Sequence, residues 1–120
     1  MKVNELFNFI DNVKPSGFDD DVKLVWLNEL EAAIQTEVYL KTSFELYNNI
    51  ADELKLLPPH DSIYRYYLQA MIDFHNGEYD RYNSTYEMFN AKWKEFEKWY
   101  CTHYPTVGSL KRGETRGDGS

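Results

Sequence analysis

The sequence between Tyr79 and Tyr100 places a large aromatic side chain at every third or fourth position, with spacings of 3, 4, 3, 4, 3 and 4. The stripe comprises Tyr79, Tyr82, Tyr86, Phe89, Trp93, Phe96 and Tyr100. An unbroken heptad of apolar residues predicts one long helix with a continuous seam that packs against other helices. We therefore expect a helix from about Glu78 to His103, which Pro105 ends because proline cannot continue a helix.

A second apolar pattern precedes this helix and stops at a glycine. It predicts a helix that is capped by Asp61 or Ser62 and runs to Asn76. Its stripe comprises Ile63, Tyr64, Tyr67, Leu68, Met71 and Ile72. Gly77 occupies the position where helices commonly end in a left-handed residue. With almost no loop between the two patterns, the sequence predicts a helical hairpin at the C-terminal end of the domain.

The first half of the chain predicts two more helices, separated by a break at Pro15 and Gly17. The first runs over Val3–Val13. The second extends from Asp21 to about Leu40, behind a run of three aspartates that suits a helix N-terminus better than a cation site. Its predicted apolar face comprises Val22, Trp26, Leu30, Ile34 and Val38. Its predicted solvated face comprises Lys23, Glu29, Glu31 and Glu37.

These patterns predict an all-α fold, a small bundle of about four helices with a C-terminal helical hairpin and a flexible C-terminal tail. Residues 1–104 form the helical domain and residues 105–120 a flexible arm; residues 41–60 are expected to be a partly ordered connection. The predicted core comprises Trp26, Leu30, Ile34, Tyr67, Met71, Tyr82, Tyr86, Phe89, Trp93 and Phe96.

The charge balance disfavours a nucleic-acid binder. The 120 residues carry 20 acidic and 13 basic side chains, for a net charge of −7. A body of this sign repels phosphate, so the aromatic stripe is better suited to helix packing than to base stacking. No apolar run is long enough to span a membrane, and the acidic start does not resemble a signal peptide, so we expect a protein that stays in the cell where it is made.

Recognisable catalytic and metal-binding motifs are absent from the sequence. It contains no phosphate-binding loop, no zinc-ligand pair and no nucleophile elbow. The single Cys101 lies two residues from His103, a spacing that points the two side chains apart on a helix. We therefore predict no catalytic residues, no cofactor and no metal, and a binding or structural protein rather than an enzyme; an enzyme with an unfamiliar site is the least favoured alternative.

The arm, residues 105–120, offers a different kind of candidate site. It carries four of the six glycines and three basic side chains against two acidic ones. An apolar and basic set within it is predicted to bind a partner on ordering. This set comprises Val107, Leu110, Lys111, Arg112 and Arg116.

The stretch from Leu56 to Asn90 resembles the small helical head-tail connector proteins of tailed phages and prophages, also called head completion or adaptor proteins. The residues that carry the resemblance are Pro58-Pro59, Asp61, Tyr64 to Leu68, Ala70 to Asp73, Asn76 to Asn83 and Phe89-Asn90. The residues of the second predicted helix that look similar are Trp26-Leu27, Glu29 to Glu31 and Ile34-Gln35. Residues 41–55 match no part of the pattern.

The resemblance implies a structural virion protein located at the neck, between capsid and tail, and made in the cytoplasm of the bacterial host. Such proteins assemble as a ring under the portal, usually of about twelve copies. The ring extends the DNA channel without sequence-specific binding and joins the portal protein to a downstream neck or tail-completion protein. In that family the C-terminal arm reaches toward the portal, and residues 105–120 are the matching region. The alternative from the residues alone is a non-viral helical adaptor or regulatory subunit, monomeric or dimeric.

Overall fold

A computed structural model describes residues 1–103, and these form four α-helices. The helices are α1 (Val3–Val13), α2 (Asp20–Ala33), α3 (Ser62–His75) and α4 (Tyr79–His103). One π-helical turn, Ile34–Val38, continues α2. No strand lies within residues 1–103, where an isolated antiparallel bridge joins Lys2 to Glu53. The predicted all-α bundle is therefore confirmed, while the arm, residues 105–120, lies outside the described residues.

Helix α3 is the central element, because it packs against each of the other three helices. Its fully buried side chains include Ile63, Tyr64, Leu68 and Ile72. α1 contributes a compact apolar face, in which Leu6, Phe7 and Ile10 are buried. Side chains at these spacings lie on one face of a helix, so both helices form because their apolar residues share a side.

The predicted hairpin is formed by α3 and α4. α3 ends at His75, and Gly77 follows with φ +76°, the left-handed conformation that glycine adopts without a side-chain clash. The ring of Tyr67 lies 5.2 Å from that of Phe89, and Phe74 near the end of α3 contacts the first turns of α4. The two helices are therefore antiparallel.

The two helices of the hairpin differ greatly in length. With 25 residues against 14, α4 is about 16 Å longer than α3 at 1.5 Å per residue. Its C-terminal part packs against the irregular segment 39–61 instead, where His60 lies 5.3 Å from the ring of Phe96.

Segment 39–61 has no regular structure but is tied to α2 by two side-chain amides. The amide of Asn28 donates to the carbonyl of Tyr47 and accepts from its N–H, at 3.0 and 2.8 Å. Gln35 makes the same pair of bonds with the backbone of Glu45, at 2.8 and 2.9 Å. Each amide therefore takes the place of a neighbouring strand and satisfies backbone groups that the segment leaves unpaired.

The predicted solvated face of α2 was wrong at two charged positions, since Lys23 and Glu31 are both fully buried. The ammonium of Lys23 lies 2.7 Å from Asp11 and 3.3 Å from Asp20, over the ring of Phe7. Val22, predicted on the apolar face, is 38% exposed. The prediction was wrong for Lys23 because carboxylates pair with its buried ammonium, and for Glu31 because tyrosine hydroxyls and a glutamine amide hydrogen-bond its buried carboxylate.

Candidate interaction surfaces on the aromatic helix

Four successive rings of the aromatic stripe on α4 form a ladder of contacts. Tyr82, Tyr86, Phe89 and Trp93 follow one another with ring centroids 5.4, 5.3 and 5.9 Å apart. Such distances are typical of favourable aromatic pairs. The stripe therefore lies on one side of the helix, as its heptad spacing predicts.

Burial along this stripe is uneven. Only Phe89 and Phe96 are buried, whereas Tyr79 is 59% exposed and the other four rings are partly exposed. A stripe that served only as core would be covered along its length, because each exposed ring forgoes the gain of burial. The face of α4 therefore combines core contacts with accessible aromatic surface.

The ten predicted core residues divide in the same way. Five are buried, namely Trp26, Leu30, Ile34, Phe89 and Phe96. Four pack against the core with partly exposed side chains, namely Tyr67, Met71, Tyr86 and Trp93. Tyr82 is also partly exposed and contacts Phe74 and Tyr86. Of the five half-exposed residues, Tyr82, Tyr86 and Trp93 lie on α4 and the other two on α3. An apolar pattern alone does not distinguish such positions from the interior.

One groove lies between α2 and α4, with a volume of about 300 Å³. We call it the acidic groove. It is lined by Glu29, Leu30, Ala33, Glu37, Tyr67, Tyr86, Phe89, Asn90 and Trp93. Burial and then the nearby carboxylate of Glu29 raise the pKa of the Tyr67 hydroxyl.

A second groove, of about 450 Å³, lies where the end of α4 meets segment 39–61. We call it the proline groove. Its lining includes Pro58, Pro59, His60, Phe96, Trp99 and Lys55. The His60 ring is held 4.6 Å from that of Trp99. This groove is apolar and bears a basic rather than an acidic group, so the two grooves suit different ligands.

A deeply buried polar cluster around Glu31 stabilises the fold. Glu31 accepts a hydrogen bond from the hydroxyl of Tyr64 at 2.7 Å and lies 3.2 Å from that of Tyr47. The backbone N–H of Leu56 donates to the Tyr64 hydroxyl at 3.2 Å. Burial, reinforced by the Glu31 carboxylate, raises the pKa of both tyrosines. With these side chains removed from solvent, the cluster locks segment 39–61 onto α2 and α3 rather than offering a reactive group.

A second buried charge joins the hairpin to α1. Asp73 is fully buried, and its carboxylate lies 2.8 Å from the ammonium of Lys14 and accepts a 3.1 Å hydrogen bond from the Thr85 hydroxyl. Removal of the Lys14 ammonium or of the Thr85 hydroxyl leaves the buried carboxylate of Asp73 with fewer partners. The arrangement therefore positions three helical regions rather than performing chemistry.

The described residues contain no group of three or more metal-ligating side chains, and no helix within residues 1–103 is long and apolar enough to cross a membrane. Cys101 is partly buried, and His103 Nδ1 lies 3.0 Å from the carbonyl of Trp99. His75 stacks on Trp26 with ring centroids 5.0 Å apart. Within residues 1–103, the rings of His60 and His75 thus pack against aromatic side chains, and His103 lies beside a backbone carbonyl.

The five predicted arm residues, Val107, Leu110, Lys111, Arg112 and Arg116, all lie outside the described residues. Among the features that the sequence did not predict are the acidic groove and the buried Lys23, Glu31 and Asp73. Each depends on how α2, α3 and α4 are rotated about their axes when they pack, which one helix at a time does not reveal. Comparison with protein-family models, with curated proteins and with solved structures finds no match for this chain.

Proposed function

We propose that this protein is a structural virion component, a head-tail connector that assembles as a ring beneath a portal protein. The resemblance of Leu56 to Asn90 to such connectors motivates the proposal. The observation that supports it best is the partly exposed aromatic ladder of α4, because accessible rings at regular spacing are typical of protein interfaces. Its function is assembly rather than catalysis.

A ring of identical subunits needs two different surfaces on each copy that fit each other. Residues 1–103 offer two unlike grooves at separate positions, one with carboxylates and one with prolines and a lysine. Two unlike surfaces on one small domain suit a head-to-tail contact better than a two-fold dimer, in which one surface meets itself. This favours a ring over the dimeric adaptor.

The charge of the chain also suits a DNA channel. A net charge of −7 discourages adhesion of phosphate while DNA passes through the ring. The basic residues of the arm carry the opposite sign and suit contact with an acidic portal surface. In this proposal the end of the arm, which carries Arg116, binds the portal, and the helical domain forms the ring wall and the platform for a downstream neck or tail-completion protein.

Native mass spectrometry tests the proposal directly. The full chain is measured over a concentration series, alone and with a portal protein from a tailed phage or prophage that encodes it. We expect a closed ring of about twelve subunits, formed alone or on the portal. A monomer or dimer that ignores the portal would instead favour the helical adaptor.

A further inference from the structure

The acidic groove contains two carboxylates that no cation neutralises within the described part of the chain. Neither Glu29 nor Glu37 has an ion-pair partner among residues 1–103, and none of the described lining residues is basic. Both carboxylate side chains are exposed, and the partly exposed ring of Trp93 lines the same groove. The groove therefore presents negative charge beside an aromatic face.

This combination matches the side chain of arginine or lysine. A cation is attracted both to the face of an aromatic ring and to a carboxylate, and the aliphatic stem of the same side chain packs on apolar surface. Arginine suits the site particularly well because its planar guanidinium stacks on a ring while it donates to a carboxylate. An adjacent apolar residue would add burial against Leu30 and Phe89, which also line the groove.

The chain itself carries such a segment. Residues 1–104 hold 18 acidic and 10 basic side chains, whereas residues 105–120 hold two acidic and three basic ones. Leu110, Lys111 and Arg112 place an apolar residue directly before two cations. The segment and the acidic groove are thus complementary in charge and in hydrophobicity.

The position of the groove favours a segment from another copy. Trp93 lies ten residues before His103, so the groove begins about 15 Å back along α4 from the point where the described chain ends. To reach the groove of its own molecule, the segment would have to turn back along α4. The eight residues from 104 to 111 span roughly 26 Å when extended, and this path would use much of that length. A neighbouring copy needs no reversal.

We propose that the acidic groove of one copy binds the Leu110–Arg112 segment of a second copy. The groove and the segment are different surfaces, so the contact is head to tail and can be repeated around a ring. The inference rests on the self-assembly in the proposed function and names a contact that produces it. Because the contact pairs exposed charges, it weakens as salt concentration rises.

Charge reversal in the full chain tests this contact. One variant carries Glu37→Lys in the groove, and another carries Lys111→Glu with Arg112→Glu in the segment. The matched control is Glu87→Lys, which makes the same charge change at an exposed position of α4 outside the groove lining. Association is measured by sedimentation over a concentration series at low and high salt, and circular dichroism checks that each variant keeps its helices.

We expect each groove or segment variant to associate about tenfold more weakly than the parent chain, while the control changes little. An equimolar mixture of the two variants should recover a one-to-one complex, because the lysine in one groove then meets the glutamates of the other segment. That recovery identifies the contact as intermolecular.

Three outcomes would overturn the inference. Association that is as strong in both variants as in the control excludes this contact but leaves the ring intact. A mixture that fails to recover association shows that the groove and the segment do not meet. A parent chain that remains monomeric at every concentration removes the second copy, and a change of its tryptophan fluorescence in the segment variant then favours binding of the segment in its own groove. The portal measurement stays independent of all three.

Discussion

Hydrogen bonds to individual buried polar side chains hold the irregular segment 39–61 in place. Glu31 lies at the centre of a cluster in which two tyrosine hydroxyls and one glutamine amide surround a single carboxylate. Every buried side-chain nitrogen or oxygen among the described residues has a hydrogen-bond partner. Satisfied networks of this kind fix one arrangement of the chain, because any other arrangement leaves a polar group buried and unpaired.

The tyrosines of this cluster predict how stability depends on alkaline pH. Burial first, and the Glu31 carboxylate second, raise the pKa of Tyr64, so the folded chain keeps a proton that the unfolded chain releases near pH 10. Its contribution is therefore fully present below that pH and declines above it. We expect the free energy of unfolding to fall above pH 10 by about 1.4 kcal/mol per pH unit for each such tyrosine.

Urea unfolding at pH 9, 10 and 11 measures this slope. Tyr64→Phe should lower stability at every pH, because Glu31 loses a hydrogen bond, and should make the alkaline slope shallower. Tyr79→Phe is the control, since Tyr79 is 59% exposed and should leave the slope unchanged. An identical slope in the Tyr64 variant and the parent would contradict this assignment.

The ion pair between Lys14 and Asp73 predicts a second effect on stability. Lys14→Ala leaves the carboxylate of Asp73, which is fully buried, with the Thr85 hydroxyl as its remaining side-chain partner among the described residues. We expect a loss of about 3 kcal/mol in the free energy of unfolding. Lys92→Ala removes a largely exposed pair with Glu95 and should cost less than about 1 kcal/mol. Equal losses in denaturant unfolding would show that the Asp73 pair contributes no more than a surface pair.

The sequence could not predict these residues. A hydrophobic pattern assigns every lysine and glutamate to the solvated face, because it contains no information about which partners are available inside. Lys23 and Glu31 are buried because Asp11 and Tyr64, from other helices, reach them. Those partners become visible only when the helices are packed together.

Whole helices were predicted far better than their charged residues. The heptad of α4, the break at Gly77 and the apolar stripe of α3 each depend on local spacing, and each corresponds to the structure to within a residue or two. Segment 39–61 could not be predicted in this way, since side chains of α2 hold it in place instead of its own periodicity. The aromatic stripe was likewise predicted, whereas the carboxylates facing it across the acidic groove depend on the rotation of α2.

Graded burial along α4 predicts graded effects of truncating its rings. Phe96 is 1% exposed and contacts His60, so Phe96→Ala should cost about 3 to 5 kcal/mol through lost burial and the cavity left behind. Tyr79→Ala, at the exposed start of the helix, should change stability by less than about 1 kcal/mol. Thermal and denaturant unfolding measure both. If the two losses were similar, the stripe would be covered uniformly, contrary to the exposure described here.

The turn between α3 and α4 predicts a purely conformational effect. Gly77 has φ +76°, and a Cβ there would meet no atom within 4 Å, so the cost of substitution comes from the backbone alone. We expect Gly77→Ala to lower stability by about 1 to 2 kcal/mol. Gly77→Asn should cost less, since asparagine adopts this conformation more readily. The order of the two melting temperatures provides the check, and a more stable alanine variant would show that the turn changes conformation.

At the scale of the whole molecule, the helical domain and the arm should be separable. The four helices satisfy one another's buried groups within residues 1–103, whereas the arm carries the basic residues that complement an acidic body. We therefore expect deletion of residues 105–120 to preserve the helical circular-dichroism signal and to shift the melting temperature by less than about 5 °C.

The same deletion should weaken self-association, as charge reversal of Lys111 and Arg112 should, because both remove the cations that complement the acidic groove. Sedimentation of the truncated and full-length chains at matched concentration and salt makes the comparison. If truncation abolishes helical structure, the arm contributes to the core, and folding of the helical domain cannot be separated from association through the arm. If the truncated chain still associates fully, copies of the domain meet through surfaces of the helical domain itself, and the arm has no part in self-association.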